Sequence, residues 1–252
     1  MGIGHALAAS CLQLLWPATC AGCDRILPHD EIVLCGLCAH AMNPLLRACH
    51  GCALPRESLG AARGRCSTCA TRRYAFSMAR VPFEYGGTLA TAIVRMKHGG
   101  RSDLARRLGR LLVEPLGVAV ADGDGGPVDA VVPVPLHPRK LRRRGFNQAL
   151  ELARVALRRA RVQGRCGEAP VLERTTLVRT RDTRELGRLG PEARRLELQG
   201  AFGVRDPRRI AGRRFLIVDD VMTTGATLDA CAHVLRAHGA REVRVLALAR
   251  AL

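Results

Sequence analysis

The sequence predicts a parallel α/β sheet with helices on both faces, preceded by a small cysteine-rich unit. Three observations lead there. Nine of the eleven cysteines fall in the first 69 residues. From about Tyr74 onward, short apolar runs alternate with amphipathic segments of helical period. The stretch FLIVDDVMTTGATL, Phe215 to Leu228, then drives an apolar run into two adjacent acids and a turn of small residues. At 252 residues the chain has room for two units, and the change in pattern divides it into 1–72 and 73–252.

The chain begins MGIGHALAASCLQLLW, which is apolar but has no basic start and no small-x-small cleavage site after it. It reads as a short amphipathic helix. No apolar run reaches the ~20 residues of a membrane span, so a cytoplasmic protein without a membrane partner is expected.

Eight cysteines follow as four CxxC pairs, Cys20/Cys23, Cys35/Cys38, Cys49/Cys52 and Cys66/Cys69, with 11, 10 and 13 residues between pairs. A CxxC turn aims two thiolates at one tetrahedral zinc, and two turns close a four-sulfur site. A redox CxxC normally occurs once, beside a βαβ unit. A disulfide scaffold suits a secreted chain, and the two cysteines of a CxxC rarely pair structurally. An iron–sulfur cluster is open to the same ligands. The expectation is two structural zincs, with sequential pairing (20/23 with 35/38, 49/52 with 66/69) and interleaved pairing both satisfying the spacing. His40 and His50 adjoin cysteines but are surplus to eight thiols; Cys11, Cys166 and Cys231 read as small apolar residues.

The formal charge is +18, and 38 of the 40 basic residues are arginines, Lys97 and Lys140 being the exceptions. Residues 1–72 hold 6 basic against 4 acidic groups, and residues 73–252 hold 34 against 18. The positive field therefore belongs to the second region. Genomic base composition inflates arginine; an anionic partner, a phosphorylated substrate or nucleic acid, also selects for it. Aromatics make up only 3%, which works against base-stacking platforms for single-stranded DNA.

Element by element, AFSMARVPFEY reads as a strand or extended pair, and TLATAIVRMKH and DLARRLGRLLVEPLGVAVA as helices. ADGDGGP is a loop, VDAVVPVP a short buried strand stopped by prolines, and LHPRKLRRRG a basic loop. FNQALELARVALRRARVQG is an amphipathic helix with Leu150, Ala153 and Leu157 on one side. Thr175 to Gly190 holds few core-forming residues and reads as mobile. RRFLIVDD is a strand, ATLDACAHVLRAHG a helix stopped by Gly239, and REVRVLALAR a final strand.

In parallel sheets ligands bind at the carboxyl ends of the strands, where Asp219 and Asp220 fall. Thr223, Thr224, Gly225, Ala226 and Thr227 then enter a helix. Backbone N–H groups, hydroxyls and the helix dipole make a phosphate cradle there, and Gly225 permits close backbone approach. One acid would suffice to cap a helix; a second beside it costs repulsion unless something binds it. Two acids next to a phosphate cup suit a sugar phosphate.

VDDVMTTGAT is similar to the phosphoribosyl-pyrophosphate (PRPP) motif of type I phosphoribosyltransferases. Together with the cysteine pairs, FEYGGTLATAIVRMKHGG and VVPVPLHPRKLRRRGFNQALELA, it resembles the competence protein F (ComF) family across nearly the whole chain. That resemblance implies a double zinc ribbon joined to a type I phosphoribosyltransferase-like domain, and a part in DNA uptake and natural transformation. It makes Asp219 and Asp220 ribose ligands and Thr223 to Thr227 the phosphate loop. Arg143, Arg144 and Gly145 fall where the transferases neutralise pyrophosphate, a task suited to guanidiniums. Asn147 and Gln148 are expected to start the helix and fix that loop. Lys97 stands where the family commonly has a lysine, and an exposed helix-end lysine is an equal reading. The chain departs from the family at Thr183–Leu186 and Arg194–Glu197, where two customary amide side chains are missing.

A working transferase needs magnesium on the pyrophosphate, positive groups around it and a lid that excludes water. The sequence supplies the cup and a basic segment but no recognisable nucleobase pocket. The expected ligand is PRPP with Mg2+. The alternative is a non-enzymatic adaptor for single-stranded DNA or for proteins of the competence machinery.

Overall fold

The structure, a computed structural model, describes residues 18–28, 33–55, 66–98, 100–121, 126–167, 170–183 and 190–252. The N-terminal helix expected over 1–16, Cys11, Leu186 and most of the ADGDGGP loop lie outside the described residues. The strands are β1 (Met78–Arg80), β2 (Phe83–Glu84), β3 (Ala130–Pro133), β4 (Val171–Leu172), β5 (Leu177–Arg179), β6 (Phe202–Val204), β7 (Arg214–Met222) and β8 (Glu242–Arg250). The main sheet runs β1-β8-β7-β3-β4, with β2 also beside β8, and every pairing in it is parallel.

β7 and β8 are buried on both faces, which is why they read as unbroken apolar runs. Their residues alternate between two cores. Leu216, Val218, Leu246 and Leu248 meet the helices Gly87–Lys97, Ser102–Leu108, Val113–Ala121 and Gln148–Val162. Phe215, Ile217, Val243 and Val245 meet the helix Ala226–Ala237 on the other side. β5 and β6 pair antiparallel off the main sheet and, with the helix Pro191–Leu198, pack on the helix Ala226–Ala237.

The cysteine segments join these cores. Cys20 and Cys35 are buried with the first core, and Cys49, Cys52, Cys66 and Cys69 with the second. Backbone bonds stitch the chain between the two centres to β1 and β2: Leu45 N–H to Pro82 O at 2.8 Å, Ala79 N–H to His50 O at 2.9 Å, and Glu84 N–H to Asn43 O at 2.9 Å. Among the described residues no helix is long and apolar enough to cross a membrane.

Four readings are corrected. LHPRKLRRRG is no loop: Pro138–Arg144 is a helix, because His137 caps it, Pro138 fits its first turn, and Gly145 closes it in the left-handed conformation at φ +82°. The long helix over DLARRLGRLLVEPLGVAVA is broken by a 3-10 turn at Gly109–Leu112. There a Cβ on Gly109 would stand 3.0 Å from Leu152 O of the crossing helix. In the segment read as mobile, Leu177 and Thr183 are buried, 184–189 lying outside the description. In the helix Gln148–Val162, Ala153 and Leu157 are buried as expected, but Leu150 sits at the edge of a face made with Ala149, Leu152, Ala156 and Ala160.

Candidate functional site

Asp219 and Asp220 lie near the carboxyl end of β7, both buried. The strand runs two residues past them, Val221 and Met222 pairing with Ala249 and Arg250 of β8. Asp219 Oδ1 accepts from the Asp220 N–H at 2.8 Å, and Asp220 Oδ1 from the Val221 N–H at 2.9 Å. Lys97 Nζ, from the end of the helix Gly87–Lys97, reaches to 2.9 Å from Asp220 Oδ2. Among the described residues that oxygen takes no hydrogen bond beyond this ion pair. Burial, and then the charge of Asp220, push Asp219 well above the usual carboxylate range. Burial would raise Asp220 too, but Lys97 holds it below that range. Burial opposes the charge on Lys97, yet the attraction of Asp220 overcomes it and raises the amine. The two acids thus differ: one is a paired carboxylate, the other is driven toward its neutral form.

The loop after β7 turns at Gly225, φ +78°, which caps the helix Ala226–Ala237. Thr223 is exposed and Thr224 and Thr227 half-buried. The Thr224 hydroxyl accepts from the Ala226 N–H at 3.4 Å. The N–H groups of Thr223, Thr224 and Gly225 make no hydrogen bond to any other described residue. Three successive unused amide donors at a helix N-terminus form an anion cradle.

The basic segment lies in electrostatic reach of this cup. Arg144 is lowered by burial, while Asp220 and Asp219 attract its charge and Arg143 repels it. Its Nη1 donates to Gln148 Oε1 at 2.5 Å. Asn147 caps the helix Gln148–Val162, accepting from the Leu150 N–H at 3.3 Å, and its Nδ2 donates to Val134 O at 3.0 Å. Both residues therefore fix the segment as expected. Beyond β5, the Thr183 carbonyl accepts from Lys140 Nζ at 3.0 Å. Glu197, in a customary amide position, pairs with Arg181 at 3.5 Å.

The cysteines settle the pairing question in favour of sequential sites, Cys20/Cys23/Cys35/Cys38 and Cys49/Cys52/Cys66/Cys69, with the sulfurs of each set within 4.8 Å of one another. Four thiolates at about 2.3 Å from one zinc stand roughly 3.8 Å apart. Cys23–Cys35 and Cys49–Cys69 are 3.8 Å apart and Cys52–Cys66 3.3 Å. The Cys35 N–H donates to Cys20 Sγ and the Cys66 N–H to Cys49 Sγ, each at 3.3 Å, which favours thiolate. Both sets fit a structural zinc. His40 and His50 belong to neither cluster.

Three residues of this region were not legible as site residues. Lys97 reads from sequence equally well as an exposed helix end; the structure instead pairs it with Asp220 at 2.9 Å. Tyr74 donates its hydroxyl to Thr224 O at 3.3 Å. Arg250, buried at the end of β8, donates to the carbonyls of Met222 (3.0 Å) and Thr223 beneath the loop. An arginine closing the apolar run VLALAR was the available signal.

A family described as "Phosphoribosyl transferase domain" matches residues 147–252. The DNA utilization protein YhgH of Escherichia coli O157:H7 is 31% identical over 241 residues, which cover 95% of this chain and 100% of that protein. Competence protein F of Haemophilus influenzae is 30% identical over 187 residues, 74% of this chain and 78% of that one. Among solved structures, a hypoxanthine phosphoribosyltransferase from Staphylococcus aureus aligns over 59% of this chain and 64% of its own, at 12% identity and a TM-score of 0.34.

Proposed function

The chain belongs to the competence protein F family, and from that premise we propose that its cup binds PRPP with Mg2+ in the service of DNA uptake. One observation carries the reading. Adjacent buried acids, one of them paired with Lys97, lie at the carboxyl edge of a parallel sheet, directly before a loop with three unused backbone donors. Asp219 and Asp220 would accept from the ribose hydroxyls, and Thr223 to Thr227 would hold the 5′-phosphate. Arg143 and Arg144, on the helix closed by Gly145, would face the pyrophosphate. Magnesium would neutralise the pyrophosphate oxygens when bound.

PRPP with magnesium should raise the melting temperature of the full chain, and Asp219→Ala with Asp220→Ala should abolish that rise. A wild-type protein indifferent to PRPP at millimolar concentration would sink the reading.

A second reading is favoured by a groove of about 610 Å3 between the helices Ser102–Leu108 and Gln148–Val162, lined by Arg106, Arg107, Arg110, Arg158 and Arg159. Burial, then Arg159 and Arg107, lower Arg110, so like charges are crowded there. The groove's carboxylate, Asp103, is already held by Arg101 at 2.9 Å. Such a surface suits a phosphodiester backbone without base recognition, in line with the names of the relatives, although the scarcity of aromatics removes the stacking platforms that single strands usually use.

A further inference from the structure

Three consecutive carbonyls, from the last residue of β7 into the phosphate loop, are held from beneath. Arg250 Nη1 donates to Met222 O at 3.0 Å and to Thr223 O, and the Tyr74 hydroxyl donates to Thr224 O at 3.3 Å. All peptide bonds described are trans. In a trans peptide the N–H points opposite to the carbonyl of the preceding residue. Pinning those three carbonyls therefore turns the N–H groups of Thr223, Thr224 and Gly225 the other way, and these are the three amides without a partner among the described residues.

Both anchors are rooted in the second cysteine centre. Arg250 Nε donates to the carbonyl of Cys52, itself one of the four sulfur ligands, at 3.2 Å. The arginine is 4% exposed, so water does not compete for these bonds. Tyr74 follows Cys69 by five residues. It stacks on Phe76 with centroids 4.6 Å apart and lies under the Arg72 guanidinium, also at 4.6 Å. The next N–H, that of Ala75, donates to Asp229 Oδ1 at 2.7 Å in the first turn of the helix that the loop enters. The loop, the helix and the ribbon thus share one hydrogen-bonded underside.

We propose that Arg250 and Tyr74 are positioning residues that couple the second four-cysteine centre to the phosphate loop, so that metal in that centre and PRPP in the cup favour one another. The proposal rests on the PRPP reading above. Metal fixes the Cys49–Cys52 turn and with it the Cys52 carbonyl; that carbonyl orients the guanidinium, which orients the loop. Coupling between two binding equilibria is reciprocal, so bound PRPP must also raise that centre's affinity for metal, an effect expected to show as slower metal loss.

The test uses the zinc-loaded full chain and follows zinc transfer to a chelating dye, with and without PRPP and magnesium. Two phases are expected, one per centre, and the second centre's phase is the one retained in Cys23→Ser, which weakens the first. PRPP should slow it about fivefold or more, within the usual range of coupling. Arg250→Lys should still carry two zincs yet lose the PRPP dependence. Tyr74→Phe, which keeps the stacked ring and removes only one donor, should lose part of it and serves should Arg250→Lys fail to fold. PRPP that raises the melting temperature but leaves both phases unchanged would overturn the coupling and leave the PRPP site standing. Protection that persists in both variants would overturn the roles of Arg250 and Tyr74. A wild-type chain with no melting response to PRPP would remove the PRPP reading and this inference together.

Discussion

Lys97 Nζ stands 2.9 Å from Asp220 Oδ2, while Asp219, one residue earlier, has no salt-bridge partner among the described residues. A single lysine thus pairs with one of two neighbouring acids of identical chemistry and leaves the other without a cation. It also links the cup to the first cysteine centre. Two residues before Lys97, Arg95 Nη1 donates to the carbonyls of Ala21 (3.4 Å) and Gly22 (3.3 Å), and its guanidinium pairs with Asp24. One ribbon therefore braces the lysine's helix and the other the loop.

Lys97→Met leaves Asp220 buried without its cation. Removing one member of a buried pair strands the other's charge, but 27% of the lysine side chain is exposed, so the loss at neutral pH should be about 2 kcal/mol rather than the larger cost of a fully dry pair. Burial would raise Asp220, and Lys97 is the foremost of the groups that hold it below the ordinary carboxylate range. Its contribution exists above its unfolded pKa and disappears as pH falls through the folded one. The gap between wild type and variant in urea melts should be widest near pH 7 and close in acid; an equal gap at both ends would assign the loss to packing.

Asp219→Asn should act oppositely. Burial and then Asp220 raise this group, so the folded state holds a proton that the unfolded state releases. The stability this contributes is full below the unfolded pKa and is lost as pH rises through the elevated folded value. An asparagine has no proton to lose. Thermal midpoints of the variant should therefore stay flatter than wild type as pH rises above the ordinary aspartate range, while its response to PRPP disappears.

The sheet was legible because burial on both faces writes β7 and β8 as apolar runs, and the acids because nothing apolar explains DD after FLIV. The sulfur ligands were legible because CxxC spacing is local. Residues acting across long sequence distances were not: Lys97 lies 123 positions from Asp220, and Tyr74 lies 150 from Thr224. The basic segment misled because arginines read as solvated loop, whereas His137, Pro138 and Gly145 supply a cap, a start and a stop. Arg244 makes the same point within a strand. It is fully buried in β8, yet Glu242 and the carbonyls of Ala119 and Val120 satisfy it.

Gly225→Ala should damage the cup more than the fold. Its φ of +78° costs a side chain about 1–2 kcal/mol. The new Cβ would stand 2.9 Å from Met222 Cε and 3.3 Å from Tyr74 Cε1. The methionine end can swing aside; the tyrosine, stacked and bonded to Thr224, cannot without releasing a loop carbonyl. The melting temperature should fall by a few degrees, while PRPP affinity by calorimetry should drop at least tenfold.

Arg106→Glu with Arg158→Glu tests the arginine groove. Both side chains are exposed, so the fold should tolerate them. A single strand bound through Z phosphates loses affinity with salt at a slope of about −0.7Z. The double variant should therefore bind oligonucleotide more weakly and show a slope shallower by about 1.4, with PRPP binding intact. Filter binding from 50 to 300 mM salt reads both; an unchanged slope would exclude the groove as the contact.

Metal removal should melt the chain as one unit. The four sulfurs of the second centre lie in the same apolar cluster as Phe76, Phe215, Ile217 and Leu228, and the buried cysteines of the first lie with Leu89, Leu216 and Leu246 on the opposite face. Stripping zinc frees eight ligands whose backbone positions hold the edges of both cores. Structural zinc sites contribute several kcal/mol to folding, and each kcal/mol lost moves the midpoint of a domain this size by about 2–4 °C. A chelator should thus lower the midpoint by about 10 °C or more, with helix signal and tertiary signal moving together. Ribbons acting as an independent appendage would instead unfold in a separate early transition, leaving the sheet's midpoint and its response to PRPP where they were.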